Sequence, residues 1–174
     1  MAKKLETPAL GAEFGGGFFG GEITFDGERY ALVVAPKVEG EKMDLQYKKK
    51  KLDTADGTDI EDDGFYNSCQ IDDANHPAGQ FCRALRIGGH DDWYLPSRDE
   101  LMTIWMALGP NRKKTPELFK SGGAEAFDNT WYWSSTEHAQ YSDGAWVVGF
   151  FNGSQNYYGK DGTNGVRAVR RLKL

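Results

Sequence analysis

Three histidines, two cysteines and several acidic pairs are the residues of this 174-residue chain best suited to chemistry. His90 stands beside Asp91, the arrangement in which a carboxylate holds an imidazole as a general base. The same His90 sits between a helix end and a strand, so a structural role is the reading we adopt. His76 and His138 complete the set, and no His-x-x-x-His or Cys-x-x-Cys spacing occurs, so the pattern of a zinc site is missing. Ser134 and Ser135 lack the Gly-x-Ser-x-Gly elbow of a nucleophile and are read as partners for backbone groups where a strand leaves the core. Asp91-Asp92 and Asp128-Asn129 are acidic pairs, but calcium takes six to eight oxygens and two carboxylates do not supply them. The glycine-rich lead from Leu10 to Gly21 precedes a strand pattern, whereas a phosphate loop needs a strand before it and a helix after. No catalytic residue, metal or cofactor is assigned, and the chain is not read as an enzyme.

The elements that would position these residues follow from pattern. Asp26-Gly27 lies between alternating apolar runs, which predicts a β-hairpin from Glu22 to Pro36 with a type I′ turn. The glycines before it allow close backbone packing around Phe14, Phe18 and Phe19. Lys37 to Asp63 is charged throughout, with Lys48-Lys49-Lys50-Lys51 followed by six acidic residues, and reads as a solvated loop or small exposed hairpin. Cys69 to Leu85 reads as helical around an interruption at His76-Pro77, ending at Gly88-Gly89. Ser97 and Glu100 form a capping box for a helix from Arg98 to Leu108, with Leu101, Ile104, Trp105 and Leu108 on one face. Lys113 to Phe127 reads as a loop with one short turn. Strands are predicted at Trp131–Ser135, Ala145–Phe151, Ser154–Tyr158 and Val166–Leu172, the middle two joined by a second type I′ turn at Asn152-Gly153. Trp93, Trp133 and Trp146 are assigned to the core, Trp146 sharing a face with Val148 and Phe150. Arg167 and Arg170, on opposite faces of the last strand, should include one that is exposed or paired with a carboxylate. The whole is an α+β arrangement.

Between the apolar runs of the last third, Tyr, Ser, Asn, Gln and Gly fill the gaps. Tyr gives rigid contact area and the small polar residues give adaptable hydrogen bonding, which is the composition of a recognition surface. The candidate ligand-binding residues are Trp131, Tyr132, Glu137, His138, Gln140, Tyr141, Asn152, Ser154, Gln155, Asn156, Tyr157, Tyr158, Lys160 and Asp161. The competing readings are ordinary polar loops, or contacts to a neighbouring subunit.

The net charge is −5, and it resides in the first third: residues 1–63 hold 9 basic and 14 acidic residues, while residues 64–174 hold 12 of each. An acidic chain is not a nucleic-acid partner. No run approaches the length of a membrane span. The basic residues Lys3 and Lys4 are not followed by an apolar stretch, so no secretory signal is read and folding in a cytoplasm is expected. Cys69 and Cys82 do not make a disulfide framework and are read as buried thiols.

Three ordered motifs carry a resemblance. Gly88-Gly89-His90-Asp91-Asp92-Trp93-Tyr94-Leu95-Pro96-Ser97-Arg98-Asp99-Glu100-Leu101 resembles the Gly-His-x-Asp-Trp-x-Leu-Pro-x-x-x-Glu-Leu core of a bacterial and phage domain. That domain is best known as the C-terminal domain of collagen-like bacterial adhesins. Trp133-Ser134-Ser135-Thr136 matches its Trp-Ser-Ser-Thr segment, and Ala145-Trp146 with Phe150 and Asn152-Gly153 matches its hairpin. Val166-Arg167-Ala168-Val169-Arg170 matches its closing Val-Arg-x-Val-Arg. The resemblance covers about residues 64 to 172, with residues 1–63 as a lead integrated with that core.

The resemblance implies a C-type-lectin-like fold: two helices packed on small antiparallel sheets, with N- and C-terminal strands paired. The glycine-rich lead and Asp-Gly hairpin are similar to phage-encoded members. That similarity implies a virion, tail-associated protein, assembled in the host cytoplasm alongside other virion proteins. It would bind a host-surface glycan or outer-membrane protein through the last-third loops, as a homo-oligomer such as a trimer. A tail, collar or capsid-decoration subunit is the alternative. The Glu-Pro-Asn loop and Trp-Asn-Asp strand of calcium-dependent lectins do not occur. Nor does a cysteine after Cys82, which the related formylglycine-generating enzymes need.

Overall fold

The computed structural model describes residues 6–174, so Lys3 and Lys4 lie outside the described residues. The chain forms two sheets with helices packed between and beside them. The first sheet has the order β1-β2-β3-β9, from β1 (Glu13–Phe14), β2 (Gly17–Phe25), β3 (Glu28–Val34) and β9 (Val169–Lys173). The second has the order β4-β8-β5-β6-β7, from β4 (Glu41–Gln46), β5 (Trp131–His138), β6 (Tyr141–Gly149), β7 (Gln155–Gly159) and β8 (Thr163–Arg167). Among the described residues four α-helices lie between these strands: α1 (Lys37–Gly40) leads from the first sheet to the second, and α2 (Gly64–Gln70), α3 (Pro77–Arg83) and α4 (Arg98–Leu108) lie between β4 and β5. This is a mixed α+β arrangement, with more helical pieces than the two expected.

The first hairpin forms as predicted. Asp26 and Gly27 both take positive φ, 50° and 74°, which is the type I′ requirement. Strand β2 runs back into the glycine-rich lead because Gly17 and Gly20 let it lie close to β3. A Cβ on Gly17 would fall 2.2 Å from the Val34 carbonyl oxygen, and one on Gly20 2.8 Å from Val34 Cγ2. The apolar run of β3 is buried on both faces. Val33 joins one core with Trp93, Leu95, Trp133 and Val147, while Leu32 and Val34 join a second with Leu101, Ile104, Tyr132 and Phe150. Strand β3 pairs antiparallel with β9, from Tyr30↔Lys173 to Val34↔Val169, so the last strand extends the sheet begun by the first hairpin.

Several expectations are corrected. The closing run is two strands in different sheets: the chain crosses at Ala168, whose N–H bonds to Gly40 and whose carbonyl accepts from Ala35. The helical stretch is interrupted before Pro77 as read, but its first helix lies earlier, at Gly64–Gln70, and its second ends at Arg83. Asp63 caps helix α2, its carboxylate accepting from the Tyr66 N–H at 3.0 Å, and α3 starts at Pro77, a residue suited to a first helical position. Cys82 is buried but Cys69 is exposed. The Asn152-Gly153 turn is not type I′, since only Gly153 has positive φ. Pairing of β6 with β7 stops at Val148↔Gln155, because Phe150 turns into the core and Gly153 lies against Trp105. A Cβ there would meet the indole at 2.4 Å.

Helix α4 has the predicted bounds and cap. Ser97 accepts from the Glu100 N–H and Glu100 accepts from the Ser97 N–H. Trp93 is fully buried with its Nε1 donating to Ile87 O at 3.3 Å, and Gly88 and Gly89 take positive φ to bring His90 back to Ile87. The longest of the sequence motifs is therefore scaffold. Both closing arginines are buried and paired: Arg167 with Glu41 and Glu125 at 3.0 and 2.7 Å, Arg170 with Asp92 at 2.6 Å.

Candidate binding surface

Strands β5, β6 and β7 carry most of the candidate residues, and the sheet sorts them into three groups. The first is a set of rings at one end of the β5–β6–β7 face. Trp146 and Tyr157 are direct partners across β6 and β7, and His138 and Tyr141 are partners across the two-residue turn between β5 and β6. His138 lies 4.3 Å from Tyr157, 4.8 Å from Tyr141 and 5.2 Å from Trp146 between ring centroids. Tyr141 and Tyr157 stack at 5.4 Å. The Arg98 guanidinium caps the Trp146 ring at 4.8 Å and pairs with Glu61. His138 Nδ1 also accepts the Gln140 and Tyr141 N–H groups at 3.2 Å, which holds the turn. Tyr141 is 50% exposed and Tyr157 39%, large values for aromatic side chains so well supported by neighbours.

The second group lies on the opposite face and along the β6–β7 loop. Half-buried Trp131 meets Phe151 and Tyr158 edge-on at 5.0 and 5.4 Å. Asn152, Ser154, Gln155, Asn156 and Asp161 are exposed, as is Gln140. Two of these serve their own backbone: Asn152 Oδ1 accepts from the Ser154 N–H and Asn156 Oδ1 from the Tyr157 N–H, both at 2.9 Å.

The third group corrects the prediction. Tyr132, Glu137 and Lys160, expected on the surface, are inside. Tyr132 faces the second core, its hydroxyl accepting from the Asp128 N–H and reaching Glu41 at 3.1 Å. Lys160 is fully buried, with Nζ 2.8 Å from Glu137 and 2.7 Å from Asp56. Glu137 also accepts from the N–H groups of Asp56 and Thr58, and Asp56 is reached by Lys48 at 2.5 Å and by His76 at 3.2 Å. Burial would raise the Asp56 carboxyl, but the nearby His76 ring and the hydrogen bonds from Lys160 and Lys48 outweigh it and hold it well below the usual range. Burial is outweighed at Glu137 too, chiefly by Lys160 and the two backbone N–H groups.

The same cluster corrects the reading of the charged segment. Lys48 and Thr58 are buried, and only neighbours such as Lys49, Lys50, Lys51 and Asp59 are solvated. Trp146 and Arg98 are the surface residues that pattern misses. Alternation with Val148 and Phe150 assigns Trp146 to the core. Its face is the right one, but β7 is an edge strand, so the far end of that face opens to solvent. Ser134 behaves as read, its Oγ donating to Trp146 O at 2.9 Å, whereas the buried Ser135 Oγ accepts from the Asn67 side chain and not from a backbone group.

Comparison with known families agrees with the motifs. No curated protein matches the chain significantly. Residues 38–170, about three quarters of the sequence, match the model of the Lcl C-terminal domain, and the match takes in the charged segment as well as the core expected from residue 64. The chain belongs to the Lcl C-terminal domain family.

Proposed function

We propose that this protein is a non-enzymatic, adhesin-like binding domain, and that the ring cluster of His138, Tyr141, Trp146 and Tyr157 is its contact surface. The observation that carries the reading is the exposure of Tyr141 and Tyr157 on a support of stacked rings and Arg98. Rigid aromatic groups lose little conformational freedom on binding, and Tyr, Trp and Arg dominate the energetic centres of interfaces. Membership of the Lcl family favours binding over catalysis, Lcl being a collagen-like adhesin. Two small sheets, one of them joining the C-terminal strand to the first hairpin, with helices packed against them, suit a C-type-lectin-like fold.

The finer part of the proposal is the setting. The glycine-rich lead and Asp-Gly hairpin support a phage virion protein that meets a host-surface glycan or outer-membrane protein. Repeated copies on a particle would raise a weak single-site affinity by roughly 10²–10⁴ in avidity. The test is retention of purified protein on a panel of bacterial cells and on a glycan array, with Tyr141→Ala and Tyr157→Ala as variants. Binding that drops about tenfold or more in either variant, at unchanged melting temperature, supports the surface. Binding by the wild-type protein that neither change affects rejects it.

A further inference from the structure

We propose that the buried charges Lys160, Glu137, Asp56 and Lys48 are the positioning device of the aromatic surface. The inference rests on the binding role proposed above for that surface. Its starting point is a defect in the strand ladder. Between Trp133↔Val147 and Glu137↔Ala145, β5 advances four residues while β6 advances two, and the register shifts again before His138↔Tyr141. A bulged strand re-aims the side chains that follow it. Regular backbone pairing therefore does not decide where His138 points.

The Gln140 and Tyr141 N–H groups orient the His138 ring within the turn, and Glu137 fixes the strand end that carries it. Glu137 is the residue before His138, and its carboxylate is tied to Lys160 Nζ and to the backbone N–H groups of Asp56 and Thr58. Lys160 stands three residues after Tyr157, and its own N–H bonds to Asp143 O at 2.8 Å. The ion pair thus draws the end of β7, which carries Tyr157, toward the end of β5, which carries His138. The two rings meet at 4.3 Å.

Asp56 extends the device to the charged segment. It shares Lys160 with Glu137 and is held by Lys48, which also donates to Thr54 O and Thr54 Oγ1. The segment then flanks the rings on two sides. Ser142 Oγ donates to Asp53 O at 2.8 Å beside Tyr141, and Glu61 pairs with the Arg98 that covers Trp146. A core of apolar residues would be as stable as four buried charges, so stability alone does not account for the cluster. Directional bonds to a bulged strand are something an apolar core would not provide.

The test uses the full chain and Glu137→Gln, which keeps an oxygen for the Asp56 and Thr58 N–H groups and removes the charge that holds Lys160. Side-chain NMR reads the proximity of the His138 ring to those of Tyr157 and Trp146, and thermal unfolding reads the fold. The expected result is a cooperative unfolding transition, a His138 ring that no longer meets Tyr157 and Trp146, and retention on bacterial cells weakened about tenfold. A His138 ring still seated against both neighbours in the variant overturns the proposal. If Glu137→Gln does not fold, Lys160→Gln, which removes the same ion pair from its other side, is read by the same spectra with the same two outcomes. A wild-type protein that binds no cells or glycans would instead defeat the binding role, while the ring positions would still decide whether the charges place them.

Discussion

Tyr157 and Lys160 are three residues apart in the same stretch of chain, yet one stands in solvent and the other is fully buried. The rings around Tyr157 touch each other and leave their outer parts free. The charges around Lys160 are saturated, each carboxylate oxygen and ammonium meeting a partner at 2.5–3.2 Å. Residue type does not separate them, since tyrosine is the apolar one and lysine the charged one. Position does. Tyr157 lies on an edge strand, while Lys160 lies where β7 turns under the segment that covers it.

Breaking the buried region is expected to have the largest effect. Lys160→Met leaves two buried carboxylates without their shared cation and should destabilise the fold by about 3–5 kcal/mol, read by urea unfolding. Acid gives a second handle. The Asp56 and Glu137 carboxyls are held low, so their contribution is complete above the ordinary carboxylate range and is lost as pH falls through their folded values.

Glu100 has the opposite sign. Burial lifts its carboxyl to about 7 from an ordinary 4.5, against the lowering effect of the Ser97 N–H and the Tyr94 hydroxyl. Its contribution is complete below the unfolded value and disappears as pH rises through the folded one. Stability should therefore decline between about pH 4.5 and 7, by an amount on the order of 3 kcal/mol. Glu100→Gln should flatten that decline in a series of melts across the window. At the exposed region the effect on stability is smallest. Tyr157→Ala should move the unfolding free energy by no more than about 0.5 kcal/mol, and a larger change would show that the ring holds the fold together.

Legibility follows the same division. Asp26-Gly27 and the Ser97–Glu100 capping box can be read because each is a local rule satisfied within four residues. The burial of Trp93 and Trp133 follows from apolar pattern. Lys48 and Lys160 are misplaced by pattern because a charge reads as solvated unless its partners are known, and these partners lie 8 to 104 residues away. Trp146 is misplaced for a different reason. Period-two alternation says which face a side chain shares, but only strand order says where that face ends. Of the candidate site, His138, Tyr141 and Tyr157 come together as a cluster. Tyr132, Glu137 and Lys160 are part of what holds the molecule together.

Hydroxyl-radical footprinting of the protein free and bound to bacterial cells reads the contact surface without changing a residue. Protection of Tyr141, Trp146 and Tyr157 on binding, with exposed Tyr66 and Met106 still reactive, is the predicted result. Protection that falls on Tyr66 or Met106 while Tyr141 and Tyr157 stay reactive would contradict the account.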